Sequence, residues 1–535
     1  MAKGHKNDFA YSNTGQALVE FFSKAGSLFA SKKHSYHGDE TSALELFKPA
    51  WVTNSYKSMQ LAMWLRDARG GSGNRSGFRE VIGWIANRNP EWIKANMHFV
   101  PEVGRWDDLS ALMDTPCESE ALEFWVRAIQ EGHGLAAKWA PRGSSKNGKR
   151  EIFNKLRKTA GMTPKQFRKL IVKNTNVIET AMCQKEWQDI DYSKVPSVAM
   201  VRYNSAFSKH DGARYGQWKG ALAKGVDEEG NEVKVNASVL FPHDVILSLK
   251  ADLGSKYTTG SRYNGWSRSR RSNNTQYEDS ELANAQFAAL PDYMEGTDMR
   301  IMPICDFSGS MGVPISAKSS VQLMDVSMGL GLYCSDRLGE GNPFYRKFIP
   351  FSDDSRLVDW KEDTFSVAAQ KNNDGWCGST NIRSALDKIL DGAKMFGATN
   401  DQIPNCLLII SDMQFDAGTE GNMTSVEAGL QAWEKSGYDR PTIVYWNLAG
   451  YKTSPATVKH ANVALVSGFS PSVLTAVLGG EDFSPRGIME KAIEKYEVVD
   501  PTKPEPKSRD KVVAKKASNK TAKKVTTKKA PKKNK

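Results

Sequence analysis

The stretch RIMPICDFSGSMG (residues 300–312) sets three oxygen-bearing side chains, Asp306, Ser308 and Ser310, on alternate positions where an apolar run ends. On an extended turn that spacing aims all three at one point, and oxygen donors gathered at one point suit a hard divalent cation such as Mg2+ or Mn2+. Two further segments reach the same kind of boundary. GWCGSTNIRSAL puts Thr380 in a small-residue loop that opens a helix, and LLIISDMQF ends a strand on Ser411 and Asp412, with Asp416 as a weaker substitute for Asp412. Alone, D-x-S-x-S does no more than cap a helix. Three pieces in this order, each on a structural boundary, predict a metal site of Asp306, Ser308, Ser310, Thr380 and Asp412 at one edge of the sheet.

Such residues meet only if the strands that carry them lie side by side. From residue 299, short apolar runs (RIMPICD, RKFIPFS, NCLLIISD, PTIVYWNLAG, VALVSGF) alternate with helical segments (VQLMDVSMGLGLYC, IRSALDKILDGAKMF, SVEAGLQAWEKSG). That alternation predicts βαβ units around a parallel sheet, one α/β domain over 299–497. Ligands of open parallel sheets bind beyond the carboxyl ends of the strands, where these residues fall.

Upstream, apolar residues recur at helical spacing, as in SMQLAMWLRDARG and FREVIGWIANR, so residues 41–298 are expected to form a helical solenoid. Four of its tryptophans, Trp64, Trp106, Trp139 and Trp187, sit beside apolar residues and read as packing anchors. RGGSGNR reads as an interhelical turn flanked by Arg66, Arg69 and Arg75, and GRWDDL as a structural tie from Arg105 to Asp107 or Asp108.

Two segments of this half are basic. Residues 141–175 hold 11 Lys or Arg against the single acid Glu151. Within them Thr163-Pro164 starts a helix whose apolar face is Phe167, Leu170 and Ile171, leaving Lys165, Arg168, Lys169 and Lys173 on the other faces. Arg142, Lys146, Lys149 and Arg150 precede it. Residues 256–272 carry five cations and no acid, among them Arg262, Arg268, Arg270 and Arg271, interleaved with Tyr257, Tyr263 and Trp266. Cations between aromatics pair phosphates and stack bases; taken alone, either segment reads first as a solvated helix face or a connector.

The charge itself has a location. Of the net +12, all resides in residues 501–535, which hold 14 basic and two acidic residues, while the first 500 residues balance at 59 of each sign. The tail KKASNKTAKKVTTKKAPKKNK has no large apolar side chain and is expected to be disordered; it suits polyanions through counterion release, and equally a solubilising or targeting role. Residues 1–40 read as a polar N-terminal segment. No run is long and apolar enough for a membrane span or a signal peptide, so no membrane partner is expected and the chain reads as cytoplasmic, with KKAPKK a nuclear signal only in a host with a nucleus. Six scattered cysteines without C-x-x-C pairs argue against zinc or a disulfide framework. Histidines are isolated, no G-x-x-x-x-G-K-[ST] loop occurs and the hydroxyl-rich site lacks a general base, so catalysis is not expected.

The D-x-S-x-S, Thr and Asp elements resemble the metal-ion-dependent adhesion site of von Willebrand factor A domains. The resemblance implies direct contact of the metal with Ser308, Ser310 and Thr380, with Asp306 and Asp412 acting directly or through water, and a sixth position for a carboxylate or phosphate oxygen of a partner. LRDARGGSGNR, GRWDDL, KWAPR, WQDIDYSKVPSVAM, VYWNLAG and ALVSGFSPSVL resemble the DUF2828 family, related to the Ro/TROVE ribonucleoproteins, over roughly residues 40–480. It implies a ring of HEAT-like helices closed by a doubly wound α/β A domain and binding structured RNAs and single-stranded RNA ends. The expected protein is a monomeric, non-catalytic RNA binder with a divalent cation in its A domain. The alternative is a scaffold whose metal captures an acidic residue of a protein partner.

Overall fold

The computed structural model describes residues 15–28, 42–254 with gaps at 147, 176, 227–229, 231, 234, 236 and 238–239, then 277–315, 319–350, 355–372, 381–413, 419–420, 423–449, 463–469, 473 and 484–503. The N-terminal half is helical: α1 (Ala17–Ala25), α2 (Ala43–Thr53), α3 (Ser55–Arg66), α4 (Arg75–Arg88), α5 (Pro90–Asn96), α6 (Phe99–Val103), a 3-10 turn (Trp106–Leu112), α7 (Glu118–Gln130), α8 (Gly134–Trp139), α9 (Lys149–Thr159), α10 (Pro164–Asn174), α11 (Ile178–Gln184), α12 (Ser197–His210), α13 (Gly212–Lys224), α14 (Pro242–Leu253) and α15 (Glu281–Ala288). Local chemistry sets many of these ends. Asn54 caps α3, Asn74 caps α4, and Thr163 closes a capping box with Gln166 ahead of Pro164 at the start of α10.

The C-terminal half is α/β. Its helices are α16 (Leu323–Asp336), α17 (Phe365–Asn372), α18 (Ile382–Phe396), α19 (Ser425–Lys435) and α20 (Pro485–Ile493). Its strands are β1 (Ile301–Cys305), β2 (Lys347–Pro350), β3 (Val358–Asp359), β4 (Cys406–Ser411), β5 (Thr419–Glu420), β6 (Met423–Thr424), β7 (Thr442–Asn447) and β8 (Val463–Ser467). Six of them make one sheet in the order β3-β2-β1-β4-β7-β8, parallel except for β3 against β2; β5 and β6 pair separately.

Because side chains alternate along a strand, each inner strand feeds two cores. In β4, Leu407 and Ile409 point into a core with Ile382, Leu386 and Ile389 of α18 and Trp433 of α19. Cys406, Leu408 and Ile410 point the other way, into a core shared with α16 and with the helical half as far as Trp64 and Phe22. A smaller third core around Tyr192, Phe207 and Tyr215 holds α12 and α13.

The helical half both begins and ends against the α/β unit. At its start, α1 packs beside β8: Gly26 N donates to Ser467 Oγ at 3.1 Å, Ser467 Oγ donates to Phe22 O at 2.8 Å, and Gly468 N donates to Ser27 Oγ at 3.0 Å. At its end, α14 packs on α16, with Lys250 Nζ 2.6 Å from Asp325 Oδ1. A C-terminal strap then recrosses the helices, where Gln60 Nε2 donates to Tyr496 O at 2.9 Å and Asn96 Nδ2 to Val499 O at 2.8 Å. The N-terminal segment expected to be polar over residues 1–40 is not polar throughout: α1 inserts Leu18, Val19, Phe21 and Phe22 into the main core. The Lys-rich tail beyond residue 503 lies outside the described residues.

Candidate metal centre and cationic face

Strand β1 has β2 on one side and β4 on the other, so chain order reverses between β1 and β4. At such a switch point the loops leave in opposite directions and open a crevice at the carboxyl ends of the strands. The register pairs Cys305 with Ile410, which brings Asp306 beside Ser411. Asp306 N donates to Ile410 O at 2.9 Å, fixing the end of β1 on β4.

The Asp306 side chain is fully buried and accepts hydrogen bonds from Ser308 N at 2.8 Å and from Ser411 Oγ at 2.6 Å. The first is an Asx turn, and it swings the chain so that Ser308 and Ser310 follow on one side. Their hydroxyls stand 3.0 Å apart. Asp412 is also fully buried, and the next residue, Met413, takes a left-handed backbone (φ +68°) while its N–H donates to Ser411 Oγ at 3.0 Å. Left-handed geometry at a residue with a bulky side chain is held by its surroundings, and such strain gathers at ligand sites.

The donor chemistry fits a small divalent cation. Oxygen ligands about 2.0–2.1 Å from an octahedral centre are about 2.9 Å apart when adjacent, close to the separation of the two serine hydroxyls. Among the described residues no three His, Cys, Asp or Glu side chains group so as to hold a metal, so the serine hydroxyls are needed to complete a donor set with Asp306 and Asp412. Thr380 and Asp416 lie outside the described residues. The sequence places Ser411 at the end of the strand but gives it no role at the site; its position on the last residue of β4, beside a buried aspartate, is the signal for one.

The second candidate site is the paired helices α9 and α10. Phe153 and Leu156 of α9 and Phe167 and Ile171 of α10 are buried against α7 and α8, with the Phe153 and Phe167 rings 5.5 Å apart. That packing turns Lys149, Arg150, Lys165, Arg168, Lys169 and Lys173 outward, all exposed, together with Lys146 in the preceding loop. Lys165, Lys169 and Lys173 repeat every fourth residue and so form one ridge with Arg168 beside it. None of these seven forms an ion pair among the described residues. By contrast Lys155, on the same hairpin, reaches Asp114 at 2.7 Å and Glu118 at 2.9 Å.

Arg142 differs from the rest. It is half-buried, its Nη1 is buried without a hydrogen-bond partner, and its one side-chain bond runs from Nη2 to Thr175 Oγ1 at 3.5 Å. Burial lowers its pKa, and no carboxylate offsets that cost. Arg262, Arg268, Arg270 and Arg271 lie outside the described residues. Of the tryptophans, Trp64 and Trp106 are buried as expected, while Trp139 and Trp187 are half-buried, Trp139 beneath Arg105 and Trp187 stacked on His210 at 4.9 Å. No helix among the described residues is long and apolar enough to cross a membrane.

The chain as a whole is similar to known proteins. The chain is 23% identical to an uncharacterized protein, L728, of Acanthamoeba polyphaga mimivirus, over 91% of this chain and 86% of that one. A crystal structure of the Deinococcus radiodurans Ro (RSR) protein is similar at a TM-score of 0.46 and 13% identity, covering 90% of this chain and all of that one. A domain of unknown function, DUF7788, matches residues 300–529, which include the α/β unit. A second, DUF2828, matches residues 4–120 and 144–297, just over half of the chain, and the protein belongs to the DUF2828 family.

Proposed function

We propose that this chain is a non-catalytic RNA-binding protein of Ro-like type, in which the α9–α10 face holds RNA phosphates and an A-type α/β unit holds Mg2+ or Mn2+ at Asp306, Ser308, Ser310, Thr380 and Asp412. One observation carries the RNA reading. Arg142, Lys146, Lys149, Arg150, Lys165, Arg168, Lys169 and Lys173 share one helical hairpin and its flanking loop, yet no carboxylate among the described residues pairs with any of them. Like charges four residues apart on a helix destabilise it, so the ridge of α10 is repulsive until an anion covers it. A phosphate backbone supplies that anion at regular spacing and releases its own counterions on binding.

Replacing Lys165, Lys169 and Lys173 together by Gln in the full chain tests this. Each phosphate contact on single-stranded RNA contributes roughly 0.7 to the slope of log affinity against log salt, so the variant should bind with a slope shallower by roughly 2. An unchanged slope with unchanged affinity rejects the face. The basic tail is common to both proteins and cancels in the comparison.

The close pair of serine hydroxyls favours a second reading for the other end of the molecule. There the cation accepts an acidic side chain of a protein partner, and the helical half serves as scaffold. Partner binding that is lost in chelator but indifferent to the α10 substitutions would support it; salt-sensitive RNA binding that survives chelator supports the first. Under either reading the protein acts as a monomer.

A further inference from the structure

Four arginines from three places in the chain meet at two adjacent aspartates. Asp108 is fully buried; its Oδ2 accepts from Arg66 Nε at 2.7 Å and from the backbone N of Arg105 at 2.9 Å, and its Oδ1 accepts from Arg75 Nε at 3.0 Å and Arg79 Nε at 2.7 Å. Asp107 accepts from Arg105 Nε at 3.1 Å and is in contact with Arg75 Nη2, while Arg79 Nη2 donates to its backbone carbonyl at 2.6 Å. The sequence suggested a single structural contact within GRWDDL. The structure instead shows an assembly of four cations and two anions.

The excess of two positive charges has a definite direction. Arg75, Arg79 and Arg105 all turn their Nε and Nη2 groups toward the aspartates. Their Nη1 groups are not buried and donate to nothing among the described residues. The three side chains remain 37, 29 and 31% exposed, whereas Arg66 is nearly enclosed at 6%. Arg105 is further fixed with its guanidinium 3.9 Å over the ring of Trp139. The guanidinium groups are therefore oriented in advance by carboxylates behind them and by an aromatic ring beneath one of them. Orienting guanidinium donors before binding spares the entropy of doing so on capture, and the planar fork matches a tetrahedral oxyanion.

We propose that the outward Nη1 edges of Arg75, Arg79 and Arg105 form a binding site for a phosphate group, whether free or at the end of a polynucleotide. The site stands whether or not the α9–α10 face binds RNA, since it uses other residues. Two probes separate the sources: inorganic phosphate titrated against chloride at equal ionic strength, and a short RNA with a 5′-phosphate compared with its 5′-hydroxyl twin, both on the full chain.

Arg105→Gln is the informative variant because the Arg105 side chain does not bond to buried Asp108, and loss of one charge-assisted contact should weaken phosphate binding roughly tenfold or more. Exposed Lys361→Gln should leave it unchanged. Saturable stabilisation by inorganic phosphate that Arg105→Gln removes supports a site for the free ion. A preference for the 5′-phosphorylated RNA, removed in the same way, supports a site for a strand end. If Arg105→Gln does not fold, Arg79→Lys keeps the charge at Asp108, loses the fork and should give the same weakening. The proposal is overturned if neither probe binds, or if binding survives in the folded variant.

Discussion

Gly331 in α16 faces the last residue of β1. A Cβ added there would stand 2.4 Å from Cys305 Sγ, where ordinary contact begins near 3.4 Å, so Gly331→Ala requires the sulfur to turn aside within its packed core or α16 and β1 to part. Two effects of opposite sign compete. Ala in place of Gly inside a helix gains about 0.5–1 kcal/mol, and overpacking a dense core costs about 1–3 kcal/mol. The clash prevails because Cys305 is fully buried and shares its core with two more buried thiols, Cys334 and Cys406. The expected outcome is a net destabilisation of about 1–2 kcal/mol, read as a lower urea midpoint at unchanged m-value. Cys305→Ala removes the opposing sulfur, so the double variant moves one heavy atom from strand to helix at nearly constant volume. It should recover most of the loss, with a coupling of about 1–2 kcal/mol. Additive single effects would refute the close approach of α16 to β1. Because Cys305 directly precedes Asp306, the single variant should also blunt any response to divalent cations.

Mg2+ or Mn2+ at about ten times its dissociation constant should stabilise the full chain by about 1.4 kcal/mol, and Asp306→Ala should abolish the effect; a thermal midpoint indifferent to cation and to chelator would remove the metal site. His243, wholly buried on α14 where it meets α16, has its pKa lowered from the ordinary 6.5 by burial, against the opposing pull of Asp244 and Asp325. The unfolded chain then binds the proton more readily than the folded one. Stability is complete above about pH 6.5 and declines as pH falls below it toward the lowered folded value. His243→Gln should flatten that part of the stability-pH curve in urea titrations, and an unchanged curve would refute the assignment. Gly468 combines a left-handed φ of +109° with a position where a Cβ would lie 2.9 Å from Ser72 Cβ, so Gly468→Ala should cost about 1–3 kcal/mol in the same urea assay. A neutral substitution would mean that the seam between β8 and the α3–α4 turn is looser than described.

Features encoded in neighbouring residues were legible in the sequence. Thr163-Pro164 with Gln166 marks the start of α10 because a capping box is made by residues three apart, and Cys406–Ser411 reads as a strand because both its faces are buried. The ends of β1 and β4 could be placed at one rim from the alternation of strands and helices alone. Long-range arrangements were less accessible. α1 is one short helix in a polar surround, and its burial depends on β8, more than 400 residues away, as in the Gly26 to Ser467 bond. The partners of Asp108 lie 29–42 residues upstream, so GRWDDL taken locally shows only Arg105. β3, two residues long and antiparallel at the sheet edge, is too short to leave a pattern.

A change of texture at residue 298/299 marks the sequence, but the packing runs across it. The face of the sheet that carries Ile410, Trp446 and Val466 is covered by α16 and by residues of the helical half, including Phe22, and the strap returns Tyr496 and Val498 to the same core. An α/β unit cut out at that boundary would expose this face to water, and a helical half cut out would lose the surface on which α1 and α14 close. At about 25 cal/mol per Å2, burial of several large side chains on such a seam outweighs any single hydrogen bond across it. The candidate metal rim at β1 and β4 and the cationic hairpin α9–α10 therefore belong to one packed structure. That is why both candidate sites are assigned on, and should be tested in, the intact chain.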